Sequence, residues 1–355
     1  VSHVAAESSK ISMDRLIAKI GKGQKASKDL TWEEAKQAMR LLIEGQSTPV
    51  QTGAFLLAMR MKMESISELA AFTSAAREYV PPVPVPRHLP LVDLPTYAGK
   101  LDTFHGIIAS AIVAVAGGAS ILMHGYEGTP GRLATASVLA RMGLSIDLDP
   151  KQVAEDVLAK GFAYLDIALY HPPMARLLDL RRELGVRSFF HPVAKILNPA
   201  RAASQVIGMS HPPYFEKTTE ALQMLGSRRA LVVRGVEGDP ELSLAAVSRV
   251  LELREERVIP LQLQPKDVGM TMGPFSAMAA CPPDQEAGLL KRILQGQVQG
   301  GQRDWVILNA AMLLYAAGKS VSISAGVSLA KQAIDSGAAA QKLGELVVRR
   351  EPAHV

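Results

Sequence analysis

Through the first eighty positions apolar residues recur three or four apart, the spacing that lays a stripe along one face of an α-helix. The pattern predicts helices over Met13–Ile20, Thr31–Glu44, Pro49–Met61 and Ser65–Tyr79. Thr31 with Glu34, and Ser65 with Glu68, have the spacing in which a hydroxyl and a carboxylate each satisfy the other's backbone N–H at a helix start. Pro81, Pro82, Pro84 and Pro86 then fix φ and remove donors, so the helical run must stop and an extended connector follow. Beyond it the period changes. Short apolar runs at Leu91–Leu94, Ile121–Met123, Tyr164–Ile167, Gln205–Gly208 and Arg229–Arg234 alternate with helical segments such as Thr135–Met142, Lys151–Lys160, Pro213–Met224 and Asp304–Ala317. Strands separated by helices imply a mostly parallel sheet covered on both faces. The expectation is an α/β protein: a small N-terminal helical domain over 1–80, a Pro-rich linker over 81–90, and a larger α/β domain over 91–355 with a central, mostly parallel sheet. Part of 170–200 is expected to pack back on the helices. Ligands of such sheets sit beyond the carboxyl ends of the strands, where the loops after Leu94, Met123 and Val233 would gather.

Composition narrows the classes. With 48% hydrophobic and 21% charged residues over 355 positions, the chain has an ordinary globular balance and no disordered tract is implied. Cys281 is the single cysteine, which rules out an internal disulfide; with no charged-then-apolar leader, a cytoplasmic protein is expected. The longest apolar stretch, Ile107 to Met123, is broken by Gly117 and Gly118 and is shorter than the roughly 20 residues of a membrane span, so it reads as a buried helix turning into a strand. Net charge is +5. The excess is local: ten basic residues stand against four acidic ones between Arg176 and Arg234, and a second basic run lies between Lys10 and Asp29. Such runs are commonly solvated surface, and they also raise the local concentration of polyanions.

Several stretches in order, TWEEAKQAMRLLIEGQSTPVQTGAFLLAMRMK, YHPPMARLLDLRRELGVRSFF, LNPARAASQVIG and ILNAAMLLYAAGK followed by AIDSGAAAQKL, resemble the anthranilate phosphoribosyltransferase family, glycosyltransferase family 3, over nearly the whole chain. The resemblance implies a homodimer formed through the helical domain, for which Leu41, Leu42, Phe55, Leu56 and Leu57 are candidates, with core packing as the other use of the same residues. It also implies phosphoribosyl pyrophosphate and magnesium as donor and cofactor, and a small aromatic acid as acceptor. Where the family has a GTGGDG loop whose bare amides cradle pyrophosphate, this chain reads LPTYAGK from Leu94 to Lys100, so Tyr97, Gly99 and Lys100 are the candidate contacts. The family's KHGN becomes MHGY: His124 and Gly125 persist, while the lysine that makes a charge-assisted bond to phosphate is replaced by Met123. The family's magnesium carboxylates fall on Pro240 and Glu241; no metal ligand is assigned, and Glu237, Asp239 and Glu241 form a substitute set only if the donor binds. His171 and Arg181 match positions that line the acceptor tunnel in the family, the arginine pairing with the acid's carboxylate; an interdomain ion pair is the alternative for Arg181. No catalytic residue is assigned.

Five replacements are similar to a divergent TrpD-like branch of the family: IGKGQKASKDL (20–30), PTYAG (95–99), HGYEGTPGR (124–132), AKIL (194–197) and RGVEG (234–238). That branch is associated with nucleic-acid binding and not with anthranilate transfer. The resemblance implies contacts from Lys22, Lys25, Lys28, Lys195 and Arg201 to a DNA or RNA backbone, displacing counterions with little sequence preference. Aromatic residues for base stacking are scarce nearby. Two functions therefore stand: non-specific backbone binding on a transferase scaffold, and phosphoribosyl transfer through an altered donor loop to anthranilate or another aromatic acceptor.

Overall fold

The computed structural model describes residues 11–23, 26–97, 99–128 and 131–347. Four helices open it: α1 (Met13–Ile20), α2 (Trp32–Ile43), α3 (Pro49–Lys62) and α4 (Ile66–Arg77). Capping boxes start three of them, Thr31–Glu34, Thr48–Gln51 and Ser65–Glu68; the second, with Pro49 at the first helical position, is an addition to the two predicted. Glu68 does more than cap. Fully buried, it accepts from Leu30 N at 2.8 Å, Ser65 N at 2.7 Å and Lys62 Nζ at 2.7 Å, tying the α1–α2 loop to the start of α4. Of the residues offered as a dimer face, Leu41, Leu42, Phe55 and Leu56 are interior, and only Leu57 is exposed. They fill the bundle's own core, because a four-helix cluster must bury one stripe per helix.

The larger part is built from β1 (Leu91–Thr96), α5 (Gly106–Ala116), β2 (Ser120–Gly125), α6 (Thr135–Met142), α7 (Pro150–Lys160), β3 (Phe162–Asp166), α8 (Ile167–Tyr170), α9 (Pro172–Leu184), α10 (Phe190–Lys195), β4 (Ser204–Gly208), α11 (Pro212–Met224), β5 (Arg229–Val233), β6 (Ser248–Arg254), β7 (Arg257–Leu263), α12 (Pro283–Leu294), α13 (Gly301–Ala316), α14 (Ile323–Asp335) and α15 (Ala338–Leu346). The seven strands form one sheet in the order β3-β2-β1-β4-β5-β6-β7, parallel through β5 and antiparallel thereafter. The fold is thus a small N-terminal helical domain beside an α/β domain with a mostly parallel sheet. Its parallel strands are buried along almost their whole length, as strands covered on both faces must be.

One face of the sheet carries α5 and α12 to α15; the other meets α9, α10, α11 and, beyond them, the four-helix cluster. The apolar stretch noted in the sequence resolves into α5, a turn at Gly117–Gly118, and β2. Among the described residues no helix is long and apolar enough to cross a membrane. The β6–β7 hairpin had no counterpart in the sequence reading. Its turn places Glu255 (φ 47°) and Glu256 (φ 66°) in the left-handed region without the Asn or Gly that ordinarily marks such a turn.

Candidate functional site

At the carboxyl end of β1 the chain turns inward. Tyr97 is 2% exposed, and its hydroxyl lies 2.8 Å from both His124 Nδ1 and Tyr170 Oη. His124, at the end of β2, sets its Nε2 3.1 Å from Asp93 Oδ1 on β1, closing a buried string from Asp93 through His124 and Tyr97 to Tyr170. Burial pushes the Tyr97 phenol well above its usual range, so the string carries neutral tyrosines. Gly125 follows because nothing larger fits: a Cβ there would stand 2.6 Å from Thr96 O and 2.7 Å from Tyr164 Oη. Tyr97 and His124 therefore brace the floor beneath the strand ends and do not face solvent.

The loop after β1 is clamped by carboxylates. Lys100, also 2% exposed, pairs with Glu241, donates to Phe104 O at 2.9 Å and lies 4.8 Å above the Trp305 ring. Glu237 receives the backbone N–H groups of Leu101, Asp102 and Thr103 at 2.8–3.2 Å, the Thr103 hydroxyl at 2.7 Å and Arg132 Nη1 at 3.1 Å. Its own φ of 58° is in the region that side chains avoid, a conformation these contacts hold in place. Arg132 also donates to Gly99 O at 3.0 Å. Lys195 is fully interior and donates to Gly208 O at 2.7 Å and Gly238 O at 2.5 Å; burial pushes its pKa down to about 8, with Asp239 opposing and Arg187 adding to the shift. Asp239 is buried too, and its peptide presses so closely on Gly208 that a Cβ there would be 2.2 Å from the Asp239 carbonyl carbon. Glu237 and Glu241 thus serve different partners, while both carboxylate oxygens of the buried Asp239 have no hydrogen-bond partner, and among the described residues no group of three metal-binding side chains converges.

His171 sits at the N-cap of α9, with its Nδ1 accepting from Met174 N at 3.3 Å and its Nε2 donating to Ala76 O at 3.1 Å. Both nitrogens are used and the ring is fully buried, which pushes its pKa down to about 4. Arg181, in the last turn of α9, is half-buried. Around it gather Arg60 from the end of α3, Arg187 from the α9–α10 loop and Arg132. Partial burial and then the like charges of Arg181, Arg132 and Arg60 hold the Arg187 guanidinium below its usual pKa. Arg132 is balanced by Glu237. Among the described residues Arg60, Arg181 and Arg187 have no carboxylate at ion-pair distance, Arg60 meeting the Tyr214 hydroxyl instead. Arg60, Arg132 and Arg187 were not singled out in the sequence, where Arg187 entered only as one charge in a basic run.

The five residues proposed for a nucleic-acid backbone do not form one row. Lys22 and Lys28 are exposed on the α1–α2 loop, and Lys25 lies outside the described residues. Lys195 is the buried amine just described, so it presents no charge to a partner; the interior carbonyls of Gly208 and Gly238 accept its hydrogen bonds. Arg201 is exposed in the loop before β4, at the opposite end of the sheet from Tyr97.

Residues 14–80 match the family model for the glycosyl transferase family helical bundle domain, and residues 101–340 the model for the glycosyl transferase family a/b domain. An anthranilate phosphoribosyltransferase of Chromobacterium violaceum is 35% identical over 320 residues, 90% of this chain and 93% of its own. One from Methanocorpusculum labreanum is 34% identical over 334 residues, 94% and 98% of the two chains. Among solved structures, the anthranilate phosphoribosyltransferase of Thermus thermophilus superposes with a TM-score of 0.84 at 33% identity, covering 94% of this chain and 98% of that one. The Saccharomyces cerevisiae enzyme in complex with PRPP and Mg superposes at 0.81 with 20% identity, over 95% and 98%, a likeness of fold.

Proposed function

The chain belongs to the anthranilate phosphoribosyltransferase family, and from that premise we propose that the arginines gathered around Arg187, beside α9, bind the phosphate groups of a polyanion, with a nucleic-acid backbone as the ligand. The observation that carries this is the guanidinium cluster: Arg181, Arg132 and Arg60 lie within the field of the exposed Arg187, and of the four only Arg132 has a carboxylate to balance it. Like charges crowd at a cost unless an anion is to be held. Lys22 and Lys28 would extend the contact only by reaching a long ligand, and a second copy of the chain is a natural partner along α3, where Val50, Leu57 and Met61 are exposed.

The second reading is the reaction of the relatives, and the comparisons favour it over nucleic-acid binding: the proteins 34–35% identical over nearly the whole chain are anthranilate phosphoribosyltransferases, and a structural neighbour was solved with PRPP and Mg. In that reading the phosphorylated sugar and an aromatic acid bind beyond the carboxyl ends of the strands, Arg181 meets the acid's carboxylate, and Mg arrives with the donor's own diphosphate, with the unpartnered Asp239 the carboxylate nearest to hand.

Two titrations decide. Affinity for mixed-sequence DNA should fall steeply between low and physiological salt, and Arg187→Ala and Arg181→Ala should each reduce the slope of log K against log salt by about one. Micromolar or weaker binding at low salt overturns the first reading, as does a one-to-one calorimetric signal with phosphoribosyl pyrophosphate and Mg accompanied by transfer to anthranilate.

A further inference from the structure

At the opposite end of the sheet, below the amino ends of β1, β4 and β5, lies a cavity of about 760 Å³. Its walls come from three places: the C-terminal turn of α4, the proline-rich connector, and the loops that lead into β4 and β5. Four arginines border it, Arg77, Arg87, Arg201 and Arg228. The one carboxylate in the lining, Glu78, is already engaged by Lys36 at 2.8 Å and Arg40 at 2.9 Å. Among the described residues, Arg77, Arg87, Arg201 and Arg228 have no carboxylate partner. The opposite wall, from the connector, is apolar, with Val83, Val85 and Leu89.

Arg201 is held there under strain. Its φ is 51°, a conformation that a side chain ordinarily avoids, and so is that of Asn198 three residues earlier. The Asn198 side chain locks the loop by accepting from Ala202 N at 2.7 Å and donating to Ala202 O at 2.9 Å. Arg77 is anchored from behind, donating through Nε and Nη2 to Leu197 O at 2.9 Å and Ile196 O at 2.7 Å. Burial, and then the like charge of Arg201 against a pull from Asp93, brings Arg77 down to about 10, which places the two guanidinium groups within each other's field. Among the described residues, then, four guanidinium groups with no carboxylate at ion-pair distance border a space of the size that small ligands fill.

We propose that this cavity is a binding site for a small phosphomonoester, whose phosphate is held by Arg201, Arg228 and Arg77 and whose organic body lies against the apolar wall of Val83, Val85 and Leu89. Guanidinium forks match phosphate oxygens geometrically, and a one-sided apolar wall selects a ligand with a phosphate at one end only. The site is distinct from the arginine cluster around Arg187 and independent of what binds there.

The test uses the whole chain with two probes, inorganic phosphate and phenyl phosphate, titrated calorimetrically at low salt. Phenyl phosphate should bind at least tenfold more tightly than inorganic phosphate. In an Arg187→Ala background, which removes the cluster beside α9 from the titration, the double variant Arg201→Gly with Arg228→Ala should weaken it at least tenfold. Glycine accepts φ 51° freely, so Arg201→Gly alone should keep or raise the melting temperature. Equal affinity for the two probes, indifference to the double variant, loss of binding with Arg187→Ala instead, or no binding at millimolar probe would each overturn the proposal.

Discussion

At the scale of single residues, the side chains that matter are those whose surroundings disagree with what their type suggests. His171 stands in a stretch that aligns with an acceptor tunnel, yet its two nitrogens cap α9 and tie it to Ala76 at the end of α4. A buried neutral imidazole with a folded pKa near 4, against about 6.5 when unfolded, binds fewer protons in the folded state than in the unfolded one between those values. Its contribution is fully present above about pH 6.5 and is lost as pH falls toward 4, a swing on the order of 3 kcal/mol. His191 shifts in the same direction, first through burial and then through the Arg181 charge. The chain's melting temperature should drop across that window, and His171→Asn, whose oxygen can still accept from Met174, should flatten the profile. An unchanged slope in the variant would assign the pH dependence elsewhere. Lys195 and Lys100 make the same point for amines: a lysine read from sequence as a contact to phosphate can be an interior donor once carbonyls or a carboxylate surround it.

At the scale of elements, the capping boxes show how local chemistry becomes tertiary. Thr31–Glu34 and Ser65–Glu68 were legible because the motif is a fixed spacing satisfied within one turn. What the spacing did not reveal is that the Glu68 carboxylate also takes Leu30 N and Lys62, thirty-eight and six residues away. Glu68→Ala removes all of these at once, leaving buried donors unpaired. The loss should be about 3 kcal/mol, well above the roughly 1 kcal/mol of an ordinary cap such as Thr31→Ala. Denaturant unfolding of the two variants measures the difference; equal losses would reduce Glu68 to a cap. The β6–β7 hairpin is the opposite case. Exposed Arg249, Arg254 and Arg257 and a buried Glu252 interrupt its apolar positions, and its glutamate turn lacks a recognisable turn residue, so neither periodicity nor turn chemistry announced it.

At the scale of the whole molecule, the pair Lys100–Glu241 joins the loop after β1 to the loop after β5 across 141 positions of sequence, fully out of water. Burial pushes the Glu241 carboxyl upward and Lys100 opposes it, while Ile107 N–H occupies the other oxygen at 2.8 Å. Removing one partner of such a pair leaves an uncompensated charge inside, so Lys100→Met should cost about 3–5 kcal/mol. Lys100→Met combined with Glu241→Gln should lose less than Lys100→Met alone, a sign reversal that a thermal double-mutant cycle reads directly. A loss simply additive in the two changes would mean that the loops are held by other contacts.

Much of the fold was determined by sequence alone, since helix and strand periods, caps and proline breaks act over a few residues and survive in any context. The helical opening, the change of regime after the proline run and the mostly parallel sheet follow from that local physics. Family membership also rests on the order of residues along the chain, and is shown by the comparisons. The site is different in kind. Whether Tyr97 lines a ligand or braces a floor, whether Lys195 faces water or carbonyls, and which arginines collect around Arg187 depend on distances between segments far apart in sequence. Electrostatics and burial are properties of that assembled neighbourhood, so only the tertiary structure could decide them.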